Sequence, residues 1–209
     1  MTPRRLVVGI TGASGAPIAI ELLRQLQALP QIESHVVCSR GGQLTLLQEC
    51  GMMPHDLQAL CSVLYKEEDI GAAVASGSFR TLGMAVVPCS MKSLAGIATG
   101  YADSLLLRAA DVTLKERRRL VLVPRECPLS TLHLRNLTTV SELGAIVVPP
   151  VPAYYAHPES IQDINRRIAA KVLSLFGLNG ADIPEWEGLG EGKSHEAFWA
   201  FCSQPMSRF

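Results

Sequence analysis

Arg125 and Glu126 are the side chains with the most evident chemical use. They follow Leu120-Val121-Leu122-Val123-Pro124. Four apolar residues in a row suit a strand buried on both faces. Pro124 cannot donate to a ladder and stops it. The pair therefore falls just past a strand's carboxyl end, the edge where open parallel sheets bind ligands. Arginine can clamp an anion, and glutamate can give or take a proton. The plain alternative is a surface ion pair at a loop start. The run Lys115-Glu116-Arg117-Arg118-Arg119 just before this strand reads as a basic helix end.

Two more stretches have the same layout. Leu6 to Ile10 reads as a strand, followed by Thr11-Gly12-Ala13-Ser14-Gly15 and a helix with Ile18, Leu22 and Leu26 on one face. Met84 to Val87 is a strand stopped by Pro88, followed by Cys89-Ser90-Met91-Lys92-Ser93 and a small-residue helix, Leu94 to Thr99. Strand, small or hydroxyl-rich turn and helix N-terminus together make an anion site. The first glycines are spaced G-x-x-G-x-x-G, which is not the dinucleotide fingerprint. A tight turn without ligand is the alternative. Cys89 has no histidine in its motif, so a packed thiol is expected. Gly188-Leu189-Gly190-Glu191-Gly192-Lys193-Ser194 resembles a P-loop ending. Glu187 stands where its first glycine is required and no strand precedes it, so it is rejected.

The elements that position these groups alternate strand and helix. His35 to Cys38 is a strand with Ser39 and Arg40 at its carboxyl end. A helix from about Gln43 carries Glu49, which local pattern makes a solvated residue. Val63-Leu64-Tyr65 is compatible with a short strand. The run from Ala72 to Ser78 suggests a loop near the ligand edge. Asp103 to Arg118 and Ser130 to Leu143 read as helices, the second ending at Gly144. Ala145 to Val148 is the last strand, closed by Pro149 and Pro150, and Ala153-Tyr154-Tyr155 hangs off its end. A final helix starts near Pro158 to Ser160, with Lys171 off its apolar stripe and near its C-terminus. The pattern predicts an α/β, Rossmann-like, doubly wound, mostly parallel sheet with helices on both faces.

The chain has 209 residues, enough for one α/β domain with a sizeable core. Nineteen basic and 19 acidic residues balance, which argues against a nucleic-acid or anionic-membrane surface. No apolar run reaches bilayer length and no signal peptide is evident. Six cysteines without Cys-x-x-Cys spacing fit a reduced, cytoplasmic compartment. The expected division is one α/β domain over 1–186 and a C-terminal tail over 187–209 that packs on a neighbouring subunit.

Beyond "phosphate-containing cofactor", a resemblance carries the reading further. Gly9 to Gly15, Pro88 to Ala95, Arg108 to Val112 through Lys115-Glu116-Arg117-Arg118, Val123 to Glu126, and Pro152 to Tyr155 resemble the flavin prenyltransferases of the UbiX type. The likeness is greatest to the branch associated with phenolic-acid decarboxylase systems and runs from about residue 5 to 186. It implies a flavoprotein fold, usually assembled into dodecamers. It implies an activity that joins a dimethylallyl unit from dimethylallyl phosphate to N5 and C6 of reduced FMN. The product, prenylated FMN, is the cofactor of UbiD-type decarboxylases.

Carried over by motif, FMN would be held by Gly12, Ala13, Ser14, Ser39, Ser90, Met91, Lys92, Ser93 and Arg125. The prenyl phosphate would meet Arg108, Lys115, Glu126, Tyr155 and Lys171, with Trp186 near the prenyl pocket and Glu49 near the flavin edge. Glu126, Glu49, Ser14, Lys115 and Tyr155 are the implied catalytic set. Lys171 stands where some members have arginine, which keeps the charge and loses the bidentate fork. Glu68-Asp69-Ile70-Gly71 stands where some members carry a tryptophan. No Asp-rich metal motif is present, so no metal is expected. Arg108, Lys115 and Lys171 would neutralise the departing phosphate, Tyr155 would donate a hydrogen bond, and Glu126 would move the protons. The rivals are an FMN-dependent aromatic-acid or cysteinyl decarboxylase and a non-catalytic flavin carrier. The related cysteine decarboxylases use a histidine after the first strand, and none stands near Gly12.

Overall fold

A computed structural model describes residues 4–179. Six strands form one parallel sheet: β1 (Arg4–Ile10), β2 (Ile32–Cys38), β3 (Val63–Tyr65), β4 (Gly83–Cys89), β5 (Arg119–Pro124) and β6 (Ile146–Val147). Their order is β3-β2-β1-β4-β5-β6. That is the doubly wound Rossmann arrangement, with its switch point between β1 and β4. Six helices connect them: α1 (Ala16–Gln27), α2 (Arg40–Cys50), α3 (Met91–Thr99), α4 (Leu105–Lys115), α5 (Thr131–Glu142) and α6 (Ile161–Ser174).

Strand alternation divides the interior in two. Leu6, Val8, Val36, Ala85, Val87, Val121 and Val123 face a core closed by α1, α6 and Leu46 of α2. Val7, Val37, Met84, Val86, Leu120 and Leu122 face the other core, closed by α3, α4 and Val140 of α5. Both faces being covered explains why these strands are apolar without interruption.

Several expected boundaries move for local reasons. α2 starts at Arg40, three residues early, because the Ser39 hydroxyl caps it by accepting the Gly42 N–H at 3.1 Å. α3 likewise starts at Met91, capped by Ser90. The helix expected over 103–118 is shorter, starting after Ser104 and ending at Lys115. The basic run is therefore not all helix. Arg117 takes a left-handed φ of 55°, Arg117 N–H binds Leu114 O, and Arg118 N–H binds Thr113 O. This Schellman turn uses arginine where glycine is usual, and Arg119 already belongs to β5. β6 keeps only two of the four expected residues. Ser130 caps α5, and Gly144 follows its end at φ 96°, as its sequence position suggests.

Candidate active site

The carboxyl ends of β1, β4 and β5 are hydrogen-bonded into one unit. The Thr11 hydroxyl donates to Pro88 O at 2.8 Å and accepts the Ser90 N–H at 2.7 Å. The Arg125 N–H binds Cys89 O at 3.2 Å. Three candidate segments, Gly12 to Ser14, Ser90 to Ser93, and Arg125 with Glu126, are thus joined at the switch point. Ser39 joins them because Ser39 N–H binds Ile10 O at 2.9 Å. Gly12 and Gly41 meet backbone to backbone. A Cβ on Gly12 would lie 2.8 Å from Gly41 Cα, so neither position has room for a side chain.

The helix N-termini here are not equivalent. Glu49 Oε2 accepts the N–H groups of Gly15 and Ala16, both at 2.9 Å, and fills the end of α1. Glu49 is therefore not merely solvated. Glu67 Oε2 takes the Arg40 N–H at 2.8 Å at the start of α2. On α3, Ser90 Oγ accepts the Ser93 N–H at 3.3 Å and donates to Ser93 Oγ at 3.1 Å. Among the described residues, the Met91 and Lys92 N–H groups have no acceptor, as the first groups of any helix lack intrahelical partners. They stay free for an anion. A phosphate-bearing flavin fits this cradle of small residues, open amides and the exposed Arg125.

Cys89 is fully buried, and burial pushes its thiol up to about 12. It is a packing residue, as its motif suggests. Glu126 is exposed, and its Oε1 accepts the Cys127 N–H at 3.0 Å. Among the described residues it forms no ion pair, leaving the carboxylate available. Tyr155 lies in the 3-10 turn Tyr154–Ala156 past β6 and is exposed.

The three candidate phosphate cations are spread apart within one chain. Arg108 stands on the first turn of α4, nearer the carboxyl edge, paired with Asp111 at 2.5 Å. Lys115 ends the same helix, and Lys171 stands in the last turn of α6. Both helices run back across the sheet, so both lysines lie toward the amino ends of the strands. The six residues of β5 put about 20 Å between Arg119 and Glu126's end of the strand. Lys115 is held by Glu116 at 2.5 Å, and its charge and hydrogen bond keep the Glu116 carboxyl below its ordinary value.

The 72–78 segment begins past the carboxyl end of β3, where Ala72 N–H binds Asp69 O, and only its far end leaves the ligand edge. Arg118 donates to Phe79 O at 2.7 Å and Gly77 O at 2.5 Å, which holds that loop beside Lys115 and the start of β5. Trp186 and the tail over 187–209, including the rejected P-loop-like stretch, lie outside the described residues. Thr11, Gly41 and Arg118 organise this architecture without standing out in the sequence. A hydroxyl at a strand end and a glycine opening the next helix are the only signals there.

Comparison with known proteins agrees with this geometry. The Flavoprotein family model matches residues 1–173. The chain is 51% identical over 185 residues to a probable UbiX-like flavin prenyltransferase of Streptomyces sp. (strain D7), covering 88% of this chain and 92% of that one. A solved dodecameric FMN-dependent UbiX-like decarboxylase from Escherichia coli O157:H7 superposes with a TM-score of 0.86 at 49% identity, covering 88% of this chain and 100% of the other. The structure of AnUbiX (PadA1) in complex with FMN and dimethylallyl pyrophosphate gives a TM-score of 0.87 at 46% identity, covering 90% and 100%. The fold is that of an FMN-binding flavoprotein. Within that class, the chain belongs to the UbiX-like flavin prenyltransferase family.

Proposed function

We propose that this chain transfers a dimethylallyl group from dimethylallyl phosphate to N5 and C6 of reduced FMN, without a metal. The prenylated FMN then serves a UbiD-type decarboxylase. The observation that carries this reading is the placement of Arg125 and Glu126. They follow a buried strand whose end is hydrogen-bonded to the end of β4, itself tied to the turn after β1, in a chain about half identical to a flavin prenyltransferase relative. Reduced FMN supplies the nucleophilic positions. Gly12, Ala13, Ser14, Ser39, Ser90, Met91, Lys92, Ser93 and Arg125 hold it. Glu126 protonates the leaving phosphate as N5 attacks; at ring closure the allyl double bond takes up a proton and Glu126 removes the one C6 loses, while Tyr155 donates a hydrogen bond to the phosphate. Arg108, Lys115 and Lys171 neutralise the phosphate charge.

The spread of these cations supports a site completed by neighbouring copies. Lys115 and Lys171 of one copy reach the flavin edge of another in an assembly like the dodecameric relative. Free cysteines at 38, 50, 61, 89 and 127 fit a reduced, cytoplasmic setting.

The test is to incubate the protein anaerobically with reduced FMN and dimethylallyl phosphate and to weigh the released flavin. A mass gain of one dimethylallyl unit is expected. Unchanged FMN, with carbon dioxide released from an aromatic acid, would favour direct decarboxylation. Running the same assay with dimethylallyl diphosphate decides the donor. For the shared site, Lys115→Ala and Glu126→Gln subunits, each inactive alone, should recover activity when co-assembled. No recovery would place the lysine and the glutamate in one copy.

A further inference from the structure

Thr11 is fully buried at the point where the strand order reverses between β1 and β4. Its side chain cannot touch a ligand. Its hydroxyl and its N–H are nonetheless both spent on one neighbour, the end of β4 and the turn after it. The hydroxyl donates to Pro88 O at 2.8 Å and accepts the Ser90 N–H at 2.7 Å. The Thr11 N–H donates to the same Pro88 O at 3.2 Å.

The ladder explains why a side chain is needed. β1 pairs with β4 only from Leu6–Gly83 to Gly9–Val86, and the register of β4 shifts between Val86 and Cys89. Pro88 O and Ser90 N–H therefore lie beyond regular pairing while remaining in the interior. A hydroxyl can satisfy both at once, being donor and acceptor. Threonine's branched Cβ keeps that hydroxyl in few rotamers.

We propose that Thr11 is a positioning residue for the flavin, locking the β1–α1 turn to the β4–α3 turn so that Gly12 to Ser14 and Ser90 to Ser93 present one fixed cradle. Ser90 is the link. With its N–H held by Thr11, its Oγ is aimed along α3, where it accepts the Ser93 N–H and donates to Ser93 Oγ. The amides of Met91 and Lys92, next in line, are thereby set relative to Gly12. The inference rests on the reading of these turns as the FMN site.

Thr11→Val and Thr11→Ser separate the hydroxyl from the packing. Valine keeps the shape and removes donor and acceptor, while serine keeps both. FMN dissociation constants and the visible spectrum of bound flavin are measured on the assembled protein. Thr11→Val should bind FMN about ten-fold more weakly with a shifted spectrum, the usual scale for stranding buried polar groups. Thr11→Ser should stay within about two-fold of the parent, since its hydrogen bonds are kept. Parent-like affinity and spectrum in Thr11→Val would overturn the proposal even if its melting temperature falls, because loss of stability alone is what a merely structural threonine predicts. So would a Thr11→Ser loss as large as that of valine. If Thr11→Val does not fold, hydrogen exchange at the Ser90 amide of the parent decides. FMN should raise its protection, and unchanged protection refutes the link. A parent that binds no FMN sinks the flavin reading itself, an outcome distinct from the others.

Discussion

Glu49 closes on Gly15. One carboxylate oxygen accepts both the Gly15 and the Ala16 N–H at 2.9 Å, across 34 residues of chain. The negative charge sits on the positive end of α1, where an anionic ligand would otherwise bind. An anion bound at the first glycine turn would have to displace this carboxylate. Glu49→Ala should cost about 1 kcal/mol, the usual price of a lost N-terminal cap. Thermal unfolding of the FMN-free protein measures it. An unchanged melting temperature would mean the carboxylate swings away in solution.

Glu126 should carry the proton transfers. Glu126→Gln keeps size and hydrogen bonding but cannot exchange a proton. It should bind FMN like the parent and make prenylated flavin roughly 10²–10⁴-fold more slowly. Single-turnover assays on FMN-loaded protein read the step directly. A near-parental rate rules out the acid-base role.

Transfer should survive EDTA. The proposed charge neutralisation comes from Arg108, Lys115 and Lys171, and the sequence carries no Asp-rich motif. Abolition by EDTA with recovery on adding Mg²⁺ would contradict it.

His35 should make stability fall in mild acid. It is buried beneath Tyr65 and Phe79, and its Nδ1 meets the Tyr65 hydroxyl at 2.9 Å. Glu33 lies 3.7 Å from Nε2, too far for a hydrogen bond. Arg5 holds Glu33 at 3.0 Å and covers the Phe79 ring. Burial outweighs Glu33 and lowers the His35 pKa from 6.5. The unfolded chain then binds the proton more readily than the folded one. Stability is fully present above about pH 6.5 and declines as pH drops from there toward the folded value. His35→Gln should flatten that part of the profile in denaturant titrations between pH 5 and 7 (roughly the window around the ordinary histidine pKa). An unaltered slope would assign the acid sensitivity to carboxylates.

Local sequence determined the elements and the identities of the ligand-edge residues. Leu120 to Val123 had to be a doubly buried strand because nothing in it tolerates water, and Pro124 had to end it. Arg125 and Glu126 therefore fall at the sheet's carboxyl edge on local grounds alone. The same logic located Ser39 and Ser90, although their capping hydroxyls started both helices earlier than apolar periodicity indicated. Chain-order reading could not decide which groups meet across the fold. Glu49 looks solvated along its own helix and becomes a cap only when α1 and α2 lie side by side. Lys115 and Arg125 are ten residues apart in sequence, yet a strand's length separates them, because a helix end and a strand end lie at opposite edges of the sheet. Thr11 and Ser90 are 79 residues apart and share a hydrogen bond. Such pairings depend on strand order and register, which arise from burying both faces of the whole sheet at once and not from any local run of residues.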